Sequence, residues 1–207
     1  MLRMTVDRLK HVTQADHILI ITNSDQEDAI RQECPELPKE NILIEPEGKN
    51  TAPAIGLAAI IIQDRDPEAV MGVFPADHFI QDPKAFSDYI QQGIKIAVDM
   101  KGLVTFGVVP TRPATGYGYI QFHDRTNPEE PIYAVKAFAE KPDYETAQLF
   151  LKSGDFLWNS GMFVWQVDSI LKSFQEFLPE IWDSLDNIKG AIGKPVWDSV
   201  LTVEWAT

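Results

Sequence analysis

Four short β-branched runs alternate with helical segments through the first half of the chain, and this alternation restricts the fold more than any other feature. The runs are "DHILIITN", "NILIEP", "AVMGVFPADHFI" and "GLVTFGVVP". Apolar runs of this length predict strands buried on both faces, as in a parallel sheet covered by helices. The segments between them predict helices. In "SDQEDAIRQEC", Ser24 followed by Glu27 fits a capping box, and Pro35 helps to close the helix. Asn50 to Asp64 predicts a second helix, with Asn50 or Thr51 as cap and Pro53 in the first turn. "DPKAFSDYIQQGIKIAVDM" predicts a long amphipathic helix. The expectation is an α/β fold: a Rossmann-like mixed, mainly parallel sheet flanked by helices.

After Pro110 the pattern changes. "TRPATGYGYIQFHD" predicts a loop and an alternating strand, and "IYAVKAFAEKPD" a further extended run. "RTNPEEP" between them predicts a turn. "DYETAQLFLKSG" predicts a helix, "LWNSGMFVWQV" a strand, and the chain from Asp168 a helical stretch. The 207 residues fit a single domain.

Composition excludes several classes. A net charge of −13 repels phosphate backbones, so no nucleic-acid partner is expected. Cys34 is the only cysteine, which rules out an intramolecular disulfide and a thiolate zinc cluster and favours a reducing cytoplasm. The longest apolar run, Ile55 to Ile62, is too short to span a membrane. No G-x-S-x-G, H-E-x-x-H, Walker loop or G-x-G-x-x-G is present.

Five short motifs can carry chemistry. Asp77 in "FPADHF" follows a strand at its carboxyl end, where ligands bind in open α/β sheets. A carboxylate there suits Mg²⁺, which takes one or two carboxylates plus phosphate oxygens; capping of the loop explains Asp77 equally simply. Glu45 in "EPEGKNTAP" ends a strand, and a carboxylate accepts both donors on the pairing edge of guanine. Asn50 and Thr51 open the helix behind it, where backbone N–H groups favour anions or hydroxyls; an ordinary capped helix fits the same letters. "ATGYGYI" places Gly116 and Gly118 around Tyr117, allowing either close backbone approach to a ligand or a plain turn. In "FAEKPD", Glu140 can accept from sugar hydroxyls and Lys141 can reach a phosphate, or the two form a surface ion pair. "WNSGMFVW" embeds Asn159, Ser160 and Gly161 among apolar residues, so the polar groups need partners, from a ligand or from a buried turn.

In this order and at these separations, "EPEGKNTAPAI", "FPADH", "TGYGYI", "FAEKPD" and "WNSGMF" resemble the mannose-1-phosphate guanylyltransferases, also called GDP-mannose pyrophosphorylases, from "TVDRL" to "TVEWA". "TGYGYI" and "EKP" are shared more widely among sugar-nucleotide pyrophosphorylases. The resemblance implies that mannose 1-phosphate attacks the α-phosphorus of GTP, giving GDP-mannose and pyrophosphate with Mg²⁺ as cofactor. It implies that Glu45, Asn50, Thr51 and Ala52 hold the nucleoside and that Asp77 binds the metal. Gly116, Glu140, Asn159 and Gly161 would contact the mannose, and Lys141 its phosphate, making Asp77 and Lys141 the catalytic pair. "TVEWA" is similar to a family segment usually read Ser-Ile-Asp-Tyr-Ala, which makes Glu204 the second metal ligand. A homodimer is compatible with the resemblance.

The chain also departs from the family. The Gly-rich G-G-x-G-T-R-L-x-P loop that grips the triphosphate, its preceding strand and a later Pro-Lys-Gln-Phe are absent. "MLRMTVDRL" resembles the helix that follows them, and the family's C-terminal region, often a left-handed β-helix, is missing. The expectation is a nucleotidyltransferase domain over residues 1–207 without its first strand, with weak or no turnover alone. Two alternatives remain: a transferase for another sugar 1-phosphate, or a non-catalytic GDP-sugar-binding or regulatory subunit.

Overall fold

A computed structural model describes residues 1–123 and 132–206. The turn expected at "RTNPEEP" lies outside the described residues. The chain divides into two compact units: Met1–Val104 with the chain from Val164 onward, and Thr105–Phe163.

The first unit opens with α1 (Leu2–Leu9), then β1 (Ile20–Thr22), α2 (Glu27–Glu33), β2 (Ile42–Ile44), α3 (Thr51–Arg65), β3 (Val70–Val73) and α4 (Pro83–Met100). β1 and β2 pair in parallel, Ile20 with Ile42 and Thr22 with Ile44. The Glu45 amide extends the ladder by donating to the Thr22 carbonyl at 2.8 Å. β1 is shorter than "DHILIITN" suggests, because Ala15–His17 forms a 3₁₀ turn. The capping box at Ser24 does not form. Asn23 Oδ1 instead accepts from the Gln26 amide at 3.1 Å, so a local Asx turn delays the helix to Glu27.

The helix expected from Asn50 is α3, and it is buried on every side from Gly56 through Ile61. Gly56 makes this possible where α7 crosses: a Cβ there would run into the side chain of Leu185, itself only 2% exposed. α4 is capped by Asp82, whose side chain accepts from the Ala85 amide at 2.9 Å, and Pro83 occupies its first position. The helical stretch expected from Asp168 is two helices, α6 (Val167–Phe177) and α7 (Pro179–Lys189), broken where Pro179 cannot continue the α6 ladder. A helix that the sequence did not announce, α8 (Trp197–Trp205), follows. Among the described residues no helix is long and apolar enough to cross a membrane.

The second unit contains most of β4 (Val104–Val108), then β5 (Tyr119–Phe122), β6 (Val135–Ala139), α5 (Tyr144–Ser153) and the start of β7 (Phe156–Gln166). β5 lies antiparallel to both β6 and β7, with Tyr119 opposite Ala139 on one side and Trp158 on the other. The pairing is therefore mixed: parallel at β1 and β2, antiparallel around β5. Tyr119 is fully buried, and its hydroxyl donates to the Ala114 carbonyl at 2.9 Å and accepts from the Ala114 amide at 3.0 Å. That pair of bonds pins the loop that enters β5. α5 is capped by Asp143 and closed by Gly154 in the left-handed region (φ 78°).

Gly56→Ala tests the α3–α7 crossing. Alanine is the better helix former by about 1 kcal/mol. Overpacking a filled core costs about 1–3 kcal/mol, so the melting temperature should fall. An unchanged or raised melting temperature would show that Leu185 yields freely.

Candidate functional site

In the first unit, β2 delivers Glu45 to the start of a loop that ends at the first turn of α3. Glu45 Oε2 is buried and has no hydrogen-bond partner. Burial pushes the Glu45 carboxyl up from its ordinary value, against a smaller opposing effect of a backbone hydrogen bond from Lys49. A desolvated carboxylate with an unused oxygen is an acceptor awaiting donors. Asn50 is the N-cap of α3 but makes no side-chain capping bond, so its amide is left for other use. Thr51 and Ala52 form the first turn of α3, whose initial N–H groups have no partner within the helix. The loop is held from α8: the Trp205 indole donates to the Glu47 carbonyl at 2.9 Å.

Glu204 precedes Trp205 on the same helix, and Glu204 Oε2 accepts from Asn187 Nδ2 at 3.1 Å. Asp77 lies on the turn after β3 with its side chain 86% exposed and the His78 ring at 4.0 Å. Among the described residues, no three His, Cys, Asp or Glu side chains converge as a ready metal cage. Mg²⁺ does not need one, since substrate phosphates and water complete its shell. The open carboxylate of Asp77 fits that mode of binding.

In the second unit, the strand register assembles a different set. Tyr119 faces Ala139 and Trp158, so the residues just beyond them, Gly118, Glu140 and Asn159, share one end of three neighbouring strands. The Asn159 amide donates to the Gly118 carbonyl at 2.8 Å. A Cβ at Gly118 would stand 2.9 Å from Glu140 Oε2 and 3.5 Å from Asn159 Cβ. Gly116 has open space around it, with nothing within 4 Å of an added Cβ. At Gly118 that nearest neighbour is the movable tip of the Glu140 side chain, which is 74% exposed, so neither of the two glycines around Tyr117 is demanded by packing.

Asn159 and Gly161 work as a pair. Gly161 adopts φ 69°, and its amide donates to Asn159 Oδ1 at 2.9 Å. This bond fixes which end of the Asn159 amide faces the turn and leaves Nδ2 to donate elsewhere. Ser160 is already satisfied: its hydroxyl donates to the Phe106 carbonyl at 2.6 Å and accepts from the Met162 amide at 3.2 Å. Glu140 and Lys141 form an exposed ion pair at 3.5 Å. Lys141 also has φ 40°, a left-handed backbone that a non-glycine residue adopts at a cost of about 1–2 kcal/mol. Beside this set the Arg112 guanidinium lies 5.8 Å from the ring centroids of both Tyr117 and Trp158, which meet edge to face. Sequence reasoning missed Arg112, because its aromatic neighbours are gathered only by the strand register.

A family model described as Nucleotidyl transferase matches residues 1–197. A mannose-1-phosphate guanylyltransferase of Escherichia coli K12 is 38% identical over 198 residues, covering 93% of this chain and 41% of that protein. One from Salmonella typhimurium is 41% identical over 187 residues, covering 87% of this chain and 38% of that protein. The chain thus spans about two fifths of these relatives' length. A solved structure from Thermus thermophilus, described as a mannose-1-phosphate geranyltransferase, superposes with a TM-score of 0.84 at 28% identity, over 99% of this chain and 56% of that one. A Helicobacter pylori structure described as mannose-6-phosphate isomerase superposes with a TM-score of 0.77 at 32% identity, over 92% of this chain and 70% of that one.

Two substitutions test the geometry. Glu45→Gln removes a carboxylate whose charged form is penalised by burial. A raised carboxyl costs the fold stability as pH climbs from the ordinary glutamate range through the elevated value. The variant should therefore gain stability over the parent as pH rises through that window, in paired melts at pH 4 and pH 8. An equal difference at both pH values would remove the case for a strained carboxylate. Lys141→Gly should fold at least as stably as the parent, because glycine accepts the left-handed backbone. A clear loss in melting temperature would show that the lysine side chain, rather than its backbone, holds the turn.

Proposed function

This chain belongs to the nucleotidyl transferase family, and we propose that it joins GTP and mannose 1-phosphate to form GDP-mannose and pyrophosphate. The observation that carries the proposal is the buried Glu45 carboxylate, whose Oε2 has no hydrogen-bond partner, at the start of the loop into α3. Guanine offers two adjacent donors to such a group. Thymine and uracil offer one donor between two carbonyls, and neither would satisfy both carboxylate oxygens. The names of the 38–41% identical relatives support the same substrates.

In this reading the mannose 1-phosphate oxygen forms a bond to the α-phosphorus of GTP while the bond from that phosphorus to the β-phosphate bridge oxygen breaks. The nucleophile is already an anion, so no strong general base is required; alignment and charge neutralisation carry the rate. Glu45 reads the base, and Asn50, Thr51 and Ala52 hold the nucleoside at the start of α3. Glu140 and the Nδ2 group of Asn159 take sugar hydroxyls, with open backbone at Gly116 and the Gly161 turn fixing Asn159. Lys141 meets the sugar phosphate. Asp77 and Glu204 would hold Mg²⁺, which when bound offsets phosphate charge. A reducing, cytoplasmic setting accords with the single cysteine, Cys34, which is free and buried.

The test is equilibrium binding of GDP-mannose by calorimetry, run beside pyrophosphate release from GTP, dTTP and UTP with mannose 1-phosphate and Mg²⁺. Binding of GDP-mannose, and a preference for GTP in any turnover, is expected. A preference for dTTP or UTP would contradict the base assignment. Binding without pyrophosphate release would favour a non-catalytic GDP-sugar-binding subunit.

A further inference from the structure

Arg8 on α1 is 5% exposed, and among the described residues it forms no ion pair with a carboxylate. Its Nε is buried without a partner. A guanidinium taken out of water without a carboxylate is expensive, and an apolar side chain of similar size would fill the space at less cost. What Arg8 supplies instead is donors. Its Nη1 donates to the His78 carbonyl at 3.4 Å, and its Nη2 donates to Thr5 Oγ1 at 3.1 Å. Thr5, 3% exposed, in turn donates to the Ala76 carbonyl at 3.4 Å. The two carbonyls bracket Asp77. The guanidinium is itself held 5.0 Å from the Phe86 ring centroid, and Phe86 packs edge to face on Phe74 just after β3. The turn is thus gripped from behind at both shoulders, while the carboxylate between them projects into solvent.

We propose that Thr5 and Arg8 are positioning residues for Asp77, fixing its turn so that the carboxylate is set in advance to take a divalent cation. The inference rests on the reading of Asp77 as a metal ligand. Both main-chain contacts are long beside the ~2.9 Å of a well-formed bond, so the grip has room to tighten when a cation arrives. Groups that orient a metal ligand, without touching the metal, typically change metal affinity about 10-fold or more when removed.

The experiment follows Mn²⁺ binding to this chain, saturated with GDP-mannose so that its phosphates complete the shell, by the electron paramagnetic resonance signal of the free ion. The variants are Asp77→Asn, Thr5→Val, Arg8→Met and Arg8→Lys, with melts and GDP-mannose binding measured alongside. Asp77→Asn should abolish the site. Thr5→Val, which keeps shape and removes the hydroxyl that donates to Ala76 and accepts from Arg8, and Arg8→Met should each raise the Mn²⁺ dissociation constant by about 10-fold. Their melts should stay cooperative and GDP-mannose binding unchanged, and Arg8→Lys should recover part of the loss. If Arg8→Met does not fold, Thr5→Val decides. Parental Mn²⁺ affinity in a well-folded Thr5→Val or Arg8→Met would overturn the inference while leaving Asp77 as a ligand. Parental affinity in Asp77→Asn would remove the metal reading, and the inference with it.

Discussion

Helix α3 has to be covered on every side, because six consecutive residues from Gly56 to Ile61 are buried and present no polar face to water. The need to enclose it organises the first unit. α6 and α7 pack against it, and Gly56 gives up a side chain so that Leu185 can close in. α8 then follows α7 and reaches the loop before α3 through the Trp205 indole. The first turn of α3, with its unsatisfied N–H groups, is therefore held on a rigid, fully packed rod. The loop in front of it is fixed at one end by the β2 ladder and in the middle by Trp205. A binding edge built on such supports loses little entropy when a ligand arrives.

Against that rigid support, the Glu45 carboxylate is a local cost. Its buried oxygen has given up water and received nothing in return, which is the condition that shifts a carboxyl upward. Lys141 shows a second local cost, a left-handed backbone without glycine. Strain and unsatisfied polar groups collect where structure serves a ligand. Both residues lie in motifs that follow strand ends, in their respective units.

How much of this was legible in the sequence depended on how local each signal was. The start of α3 was legible because Asn50, Pro53 and the long apolar run lie within a few residues of one another. The segments "DPKAFSDYIQQGIKIAVDM" and "DYETAQLFLKSG", which form α4 and α5, were local in the same way. The capping box at Ser24 failed because Asn23, one residue earlier, offered a competing turn. α8 went unseen because its nine residues are held by distant partners, such as Glu47, rather than by a cap of their own. Arg112 was missed because Trp158, one of the two rings beside it, comes from a strand distant in sequence. The burial of Arg8 was hidden for a similar reason, since on α1 it looks like one more surface charge until α4 is packed over it.

The central claim is that Glu45 waits, desolvated, for the paired donors of guanine. The most direct measurement is a ¹³C NMR titration of the Glu45 side-chain carboxyl, alone and with saturating GDP-mannose. Donors to the charged form lower a carboxyl pKa. The account predicts a free-state value above that of an ordinary glutamate and a clear fall when GDP-mannose binds. An ordinary value in the free chain, or a value that does not move on binding, would contradict it.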